Sequence, residues 1–343
     1  MSGVLEKAES KSMNIAIIAI TAGGKRLAEK IAGELTGARV LQQGSSIATT
    51  LLEAWSAYDA LICIMSAGIV VRAIAPLCRD KYADPCVIVL DEAGKHAISL
   101  LSGHLGGGNA LARKVATITH GLAVITTASD TLGLTALDLW ARENGLLLRS
   151  ERGSVTVAAA RMVNTGSLRI FTDCEISGLP ADFQQVNKPE EADIILSAKN
   201  NLPQDAVQLS PCNLFIGIGC NRNTSADDIA RAVEETCSIH GLERHALAGL
   251  ATIDAKIDEQ GLLLFARDNN LTVHYFSREQ LNKVVGIAES KHALAALGVK
   301  AVAEPAAILA ASRENCQGRL LIRKMKWKDV TTAVAEKAVH LKG

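Results

Sequence analysis

Short, unbroken apolar runs spaced by helix-like runs constrain this chain more than any other feature. Between residues 14 and 130, strand-like NIAIIAI, ALICIM, CVIVL, HAISLL and LAVITT alternate with helix-like KRLAEKIAGEL and NALARKVATIT. A strand wetted on one face alternates apolar and polar residues, whereas these runs do not, so both faces are covered. The pattern predicts α/β architecture, with mainly parallel sheets and helices on both faces. It resumes after Pro211 in NLFIGIG, SADDIARAVEETCSI, LAGLATI, EQGLLLFARDN, LTVHYFS, PAAILAAS and RLLIRKMKW.

A chain of 343 residues exceeds one ordinary core. Four of the seven prolines, Pro180, Pro189, Pro203 and Pro211, fall in one polar segment, which marks a boundary. The expected organisation is two larger α/β domains, 14–130 and 211–343, joined by a smaller linking α/β domain and linker at 131–210. That middle part holds helical TALDLWAREN and SVTVAAARMVN and strand-like LRIFTD and ADIILS. Residues 1–13 read as a disordered lead-in. Ser225 followed by Asp228, and Ser277 followed by Gln280, resemble capping boxes, and Pro305 suits a first helical turn.

Lysine plus arginine, 36, equals aspartate plus glutamate, 36, so no broad basic field exists for nucleic acid. No run approaches the roughly 18 consecutive apolar residues of a membrane span. Residues 1–12 lack the apolar stretch of a secretory signal. The eight cysteines show no C-x-x-C pair and several lie in apolar runs, which fits reduced thiols and a cytoplasmic protein. The eight histidines show no H-E-x-x-H or paired His/Cys spacing, so no metal site is expected.

The stretch LLSGHLGGGNALARK puts Ser102, Gly103, His104, Gly106, Gly107 and Gly108 between a strand and a helix opening near Asn109. In open α/β sheets ligands bind at strand carboxyl ends, and a helix N-terminus there offers amides to an anion. The plain alternative is a tight turn carrying a satisfied histidine. Nucleotide signatures fail: neither GGKR nor GHLGGGNA supplies G-K-[ST], and Arg222 replaces the third glycine of G-x-G-x-x-G in GIGCNRN.

Gly219, Cys220 and Asn221 form a second strand-to-helix junction, in which Cys220 reads more readily as packing than as a nucleophile. In ATIDAKIDE, Asp254, Lys256 and Asp258 share a face if the segment is extended; they are substrate contacts or solvated ion pairs. In RKMKWKD a strand would align Lys324, Lys326 and Lys328 opposite Arg323, Met325 and Trp327. Three ammonium groups suit a polycarboxylate ligand, or guard an edge strand.

Several strings together resemble the CbiG family of the anaerobic cobalamin pathway, the cobalt-precorrin-5A hydrolases. They are SAGIVVRAIAPLCRDKYADPCVIVLDEAGKHAISLLSGHLGGGNALAR, GIGCNRNTSADDI, LATIDAKIDEQGLLLFA, YFSREQLN and VAEPAAILAA, in order over nearly the whole chain. The resemblance implies opening of a δ-lactone on the macrocycle and release of the C20 fragment as acetaldehyde, giving cobalt-precorrin-5B. It implies a cobalt-corrinoid substrate that carries its own metal, no separate cofactor, and transient contacts with other enzymes of the pathway. A non-catalytic corrinoid carrier is the alternative. Candidate catalytic residues are His104, Asp254 and Lys256, with backbone amides of the 103–109 loop receiving an oxyanion. Candidate substrate contacts are Gly68, Arg72, Ser102, Gly103, Gly106, Gly107, Asn109, Gly219, Asn221, Lys324 and Lys326. Because aromatics are only 3% of the chain, aliphatic side chains and backbone are expected to support the flat ring.

Overall fold

The structure is a computed structural model that describes residues 13–80, 83–104, 106–312 and 318–343. Apart from Met13, the expected lead-in lies outside the described residues, as does Leu105 in the glycine stretch. The chain divides into two compact units, one up to Leu139 and one from Trp140 onward.

The first unit carries β1 (Ile15–Ala19), β2 (Ala38–Val40), β3 (Ala60–Ile64), β4 (Cys86–Leu90), β5 (His96–Leu101) and β6 (Leu122–Val124) in one sheet of order β2-β1-β3-β4-β5-β6. Its helices are α1 (Ala22–Glu34), α2 (Ile47–Trp55), α3 (Ala67–Ile74), α4 (Gly108–Thr119) and α5 (Ala128–Leu132). Thr21 and Ser46 cap α1 and α2 by accepting the amides of Gly24 and Thr49, which leaves fewer helix-end donors without partners. α1 and α4 bury Ala28, Ile31, Leu111 and Val115 against Ile15 and Ile17, while α2 and α3 bury Leu51, Val70 and Ile74 against Ile18 and Leu61. Both sheet faces are therefore covered, as unbroken apolar strands require.

One pairing changes the geometry of the whole edge. β5 runs antiparallel to β4, with Val87 opposite Leu101 and Leu90 opposite Ala97, and β6 runs parallel to β5. The carboxyl ends of β5 and β6 thus lie beside the amino ends of β1, β3 and β4. The connection Asp91–Lys95 turns at Gly94, φ 69°, and is far shorter than the dozen or so residues a parallel crossover needs.

The helix α6 (Leu137–Glu143) ends in the second unit, which opens with a sheet of order β10-β8-β11-β12-β7. Its strands are β7 (Leu147–Leu148), β8 (Leu168–Thr172), β10 (Phe183–Val186), β11 (Ile194–Leu196) and β12 (Val207–Ser210), with α7 (Arg152–Thr165) inserted. The proline-bearing segment supplies three of these strands. β9 (Ile176–Ser177) pairs with β18 (Val339–His340) near the chain end.

The last sheet, β15-β14-β13-β17-β16, is built from β13 (Leu214–Cys220), β14 (Leu247–Ile253), β15 (Thr272–Phe276), β16 (Arg319–Lys326) and β17 (Val330–Glu336). α8 (Ala226–Ile239) and α9 (Gln260–Asp268) cover one face through Ile229, Val233, Leu262 and Phe265. α10 (Arg278–Lys283), α11 (Lys291–Leu297) and α12 (Ala303–Ala311) lie on the other, where Leu281, Ala293 and Ala306 pack with Ala251 and Ile253. Ser277 and Gln280 form a full capping box on α10, whereas the Ser225 hydroxyl donates to the Asp228 carboxylate and closes only half of one.

Buried α12 approaches β13 so closely that a Cβ on Gly217 would lie 1.9 Å from the Ala303 carbonyl oxygen. Gly217→Ala is expected to lower stability by at least about 1–3 kcal/mol, because neither backbone can yield cheaply. Urea unfolding checks this, and an unchanged midpoint would contradict the close approach.

Candidate functional site

In the first unit the chain leaves β5 through Ser102, held at φ 53°, and enters α4 after Gly107, at φ 79°. A left-handed residue at that turn favours glycine. The loop folds inward: the Gly107 amide donates to the His104 carbonyl at 2.9 Å, and the Asn109 amide to the Gly103 carbonyl at 2.8 Å. The Gly108 amide donates to the Ser102 carbonyl at 3.2 Å. These three amides are therefore spent inside the loop, which leaves fewer of the expected 103–109 amide donors for an oxyanion. Among the described residues, the amides of Gly103 and His104 have no acceptor.

His104 meets a carboxylate that the sequence reading did not select. Its Nε2 lies 2.7 Å from Asp130 Oδ2 and 3.1 Å from Ser129 Oγ, both on α5 just beyond β6. Asn109 Nδ2 donates to the same Asp130 oxygen at 2.7 Å and to Thr127 Oγ1 at 3.1 Å, and Arg113 donates to Asp130 Oδ1 at 2.5 Å. The parallel β5–β6 pair brings these strand ends together across 26 residues of chain.

Burial pushes the Asp130 carboxyl up, yet hydrogen bonds from Arg113, Asn109 and His104 outweigh that and hold it below the ordinary aspartate range. A carboxylate at Nε2 selects the tautomer with hydrogen on Nε2, which leaves the Nδ1 lone pair free to take a proton. Because aspartate and serine share Nε2, the group is no serine–histidine–aspartate relay, and Ser129 is not activated as a nucleophile.

Gly68 and Arg72 lie elsewhere in the same unit. They belong to α3 at the carboxyl end of β3, the sheet edge opposite the His104 loop, and Arg72 folds back to donate to the Gly68 carbonyl at 3.0 Å. The reversal of β5 therefore separates these two candidates from the His104 loop by the height of the sheet. A cavity of about 690 Å³ beside Gly106 is lined by Trp55, Tyr58, Arg79 and Asp84 at the amino-terminal edge of β3 and β4.

In the second unit a cavity of about 630 Å³ opens above Gly219, Cys220 and Asn221. Lys324, Lys326 and Lys328 all line it, together with Lys256 and Trp327. Strand alternation places Lys324 and Lys326 on the cavity side, with Met325 packed on the core between them. β16 shifts register between Ile322 and Met325 and ends at Lys326, and Met325 and Trp327 pack on the core while Arg323 is exposed. Burial, then the neighbouring Lys326 charge, lowers the Lys324 ammonium against a weaker opposing pull from Glu304. Trp327 adds an aromatic wall where only aliphatic support was expected.

The segment after β14 is a 3₁₀ turn over Asp254–Lys256, not an extended run, so Asp254, Lys256 and Asp258 do not share a face. Lys256 turns inward and donates to Glu259 at 3.1 Å, both groups buried. Asp254 is exposed, and Asp258 pairs outside with Arg222 at 2.6 Å. Asn221 Nδ2 donates to Asp329 Oδ1 at 2.9 Å. Burial pushes the Cys220 thiol up, in keeping with a packing role.

Comparison with known proteins adds a family pattern to this geometry. Residues 49–130 match the model of the cobalamin synthesis G N-terminal region, and residues 214–335 that of the cobalamin synthesis G C-terminus. The chain is 32% identical over 345 aligned residues to the cobalt-precorrin-5A hydrolase of Salmonella typhimurium, covering 94% of this chain and 97% of that one. It is 32% identical to the cobalt-precorrin-5A hydrolase of Priestia megaterium, covering 84% and 82%. The solved structure of CobE, a protein from the cobalamin biosynthetic pathway, matches 36% of this chain and 89% of its own at 33% identity, with a TM-score of 0.34.

Proposed function

Because the chain belongs to the cobalamin synthesis G (CbiG) family, we propose that it is a cobalt-precorrin-5A hydrolase that opens the δ-lactone and releases acetaldehyde. The observation that carries the chemistry is the His104–Asp130 contact. Water attacks the lactone carbonyl as His104 Nδ1 takes its proton, and Asp130 stabilises the imidazolium that results. The free amides of Gly103 and His104 receive the developing oxyanion, a kind of contact commonly worth about 2.7–4 kcal/mol per donor. The imidazolium returns its proton as the lactone C–O bond breaks. The C20 hydroxyl then gives its proton back to His104 Nδ1 as it forms the aldehyde carbonyl, the C–C bond to the ring breaks, and the conjugated macrocycle accepts the electron pair. Cobalt enters and leaves within the substrate, so the protein supplies no cofactor of its own in this scheme.

The second unit's lysines suit the several carboxylates of such a ring. Lys324→Gln combined with Lys326→Gln is expected to weaken corrinoid binding several-fold and flatten its salt dependence, since exposed charge is screened beyond about 10 Å at 0.1 M salt. Absorbance titration at two ionic strengths checks this, and unchanged affinity would remove the cavity from substrate binding. Gly68, Arg72 and Asp254 are retained only as weaker candidates, given their placement.

A corrinoid carrier is the second reading, because the lysine-lined cavity could hold a ring without the His104 base. Incubation with cobalt-precorrin-5A and an aldehyde assay separates the two: release supports the hydrolase, while binding without aldehyde supports the carrier. No helix among the described residues is long and apolar enough to cross a membrane. A cytoplasmic setting, with product passed on by transient contact, completes the proposal.

A further inference from the structure

The hydrolase reading gives the lysine-lined cavity an electrophile to meet, because the expelled fragment is an aldehyde. Lys324 differs from its neighbours there. Its half-buried side chain reaches Ser290, with Nζ 3.1 Å from the hydroxyl oxygen, and Ala293, Leu297 and Val302 supply apolar lining to the same cavity. The buried Glu304 carboxylate of α12 accepts the Lys324 amide at 2.9 Å and fixes the strand where its register shifts.

Charged and titratable groups approach from every element around it. Lys326 and Lys328 lie on the same stretch, His292 on α11, and Lys256, Arg222 and Asp329 on the loops below. Among the described residues, no carboxylate forms an ion pair with Lys324.

We propose that Lys324 captures short-chain aldehydes, acetaldehyde first among them, as a reversible imine in this cavity. The inference rests on the hydrolase reading for the source of the aldehyde. The neutral amine attacks the carbonyl carbon, and the oxygen takes a proton to give a carbinolamine. Loss of water, with Ser290 relaying the proton to the departing hydroxyl, gives Lys–N=CH–CH₃. Addition of water returns acetaldehyde and the amine, so no electrons are gained or lost. A like-charged neighbour and a partly desolvated stem favour the neutral amine, as in known amine-nucleophile sites; the lowered Lys324 ammonium is in keeping with this. Capture withdraws the aldehyde from re-addition to the electron-rich ring.

The test uses the intact protein, acetaldehyde and cyanoborohydride at neutral pH, with peptide mass mapping of ethylated lysines. Lys324 is expected to be ethylated several-fold faster than Lys326, Lys328 and exposed Lys342. Lys324→Arg should abolish that label, and Lys326→Gln should slow it towards the surface rate. Equal labelling of Lys324 and surface lysines would overturn the proposal, as would selectivity unaffected by Lys326→Gln. Since the aldehyde is added, neither outcome depends on turnover. Absent aldehyde release from cobalt-precorrin-5A would instead refute the hydrolase reading alone.

Discussion

His104→Ala is expected to lower acetaldehyde release about 10²–10⁴-fold, the usual contribution of a positioned acid–base group. The binding affinity for the corrinoid should stay near that of the parent protein, because the imidazole acts on a water and not on a carboxylate of the ring. Asp130→Asn should lose activity to a similar extent. The amide cannot stabilise an imidazolium as a carboxylate does, and its NH₂ group can favour the tautomer that presents the wrong nitrogen. Single-turnover aldehyde assays on folded variants decide this, and parental rates in His104→Ala would take the imidazole out of the reaction.

Asp130 also makes a stability prediction whose sign follows from its lowered titration. A carboxyl depressed on folding contributes stability above its unfolded pKa, near 3.9, and loses that contribution as the pH falls through its folded value. The stability gap between the parent and Asp130→Asn should therefore be full near neutrality and close below the ordinary aspartate range. Urea midpoints across that window measure it, and a gap that widened in acid would reverse the assignment.

The second large effect concerns the floor of the lysine-lined cavity. Glu259→Ala is expected to cost about 3–5 kcal/mol, because it removes one partner of a buried ion pair and leaves Lys256 buried without it. The carboxylate also accepts the Asn223 amide at 2.6 Å, at a residue held at φ 60°, so the loop beneath Asn221 and Arg222 would loosen as well. Replacing both Lys256 and Glu259 by apolar residues of similar size should cost much less than the single change, since no isolated charge remains. A double-mutant cycle by thermal or urea unfolding gives the coupling. Additive losses would show that the two side chains do not act as a pair.

Much of the architecture was legible in local chemistry. Unbroken runs such as ALICIM and CVIVL could only be strands covered on both faces, and they are buried throughout β3 and β4. Ser277 and Gln280 announced the start of α10, and the glycine stretch marked the turn into α4. The reversal of β5 was also readable, because Asp91–Lys95 is too short for a parallel crossover. Asp130 had a fainter signal as an acid in TTASDTL just beyond an apolar run, but nothing local tied it to His104.

Local chemistry along the chain set which segments become strands and helices, where helices begin, and that a histidine stands in a glycine turn beyond a strand. Those outcomes depend on side-chain size, apolar spacing and hydrogen bonding within a few residues. Long-range packing, in contrast, brought His104 to Asp130, put Gly68 and Arg72 at the opposite sheet edge, and turned Lys256 inward to Glu259. Strand order and direction, and the register shift in β16, arise from burial shared across distant segments, so they place side chains together that no local pattern joins.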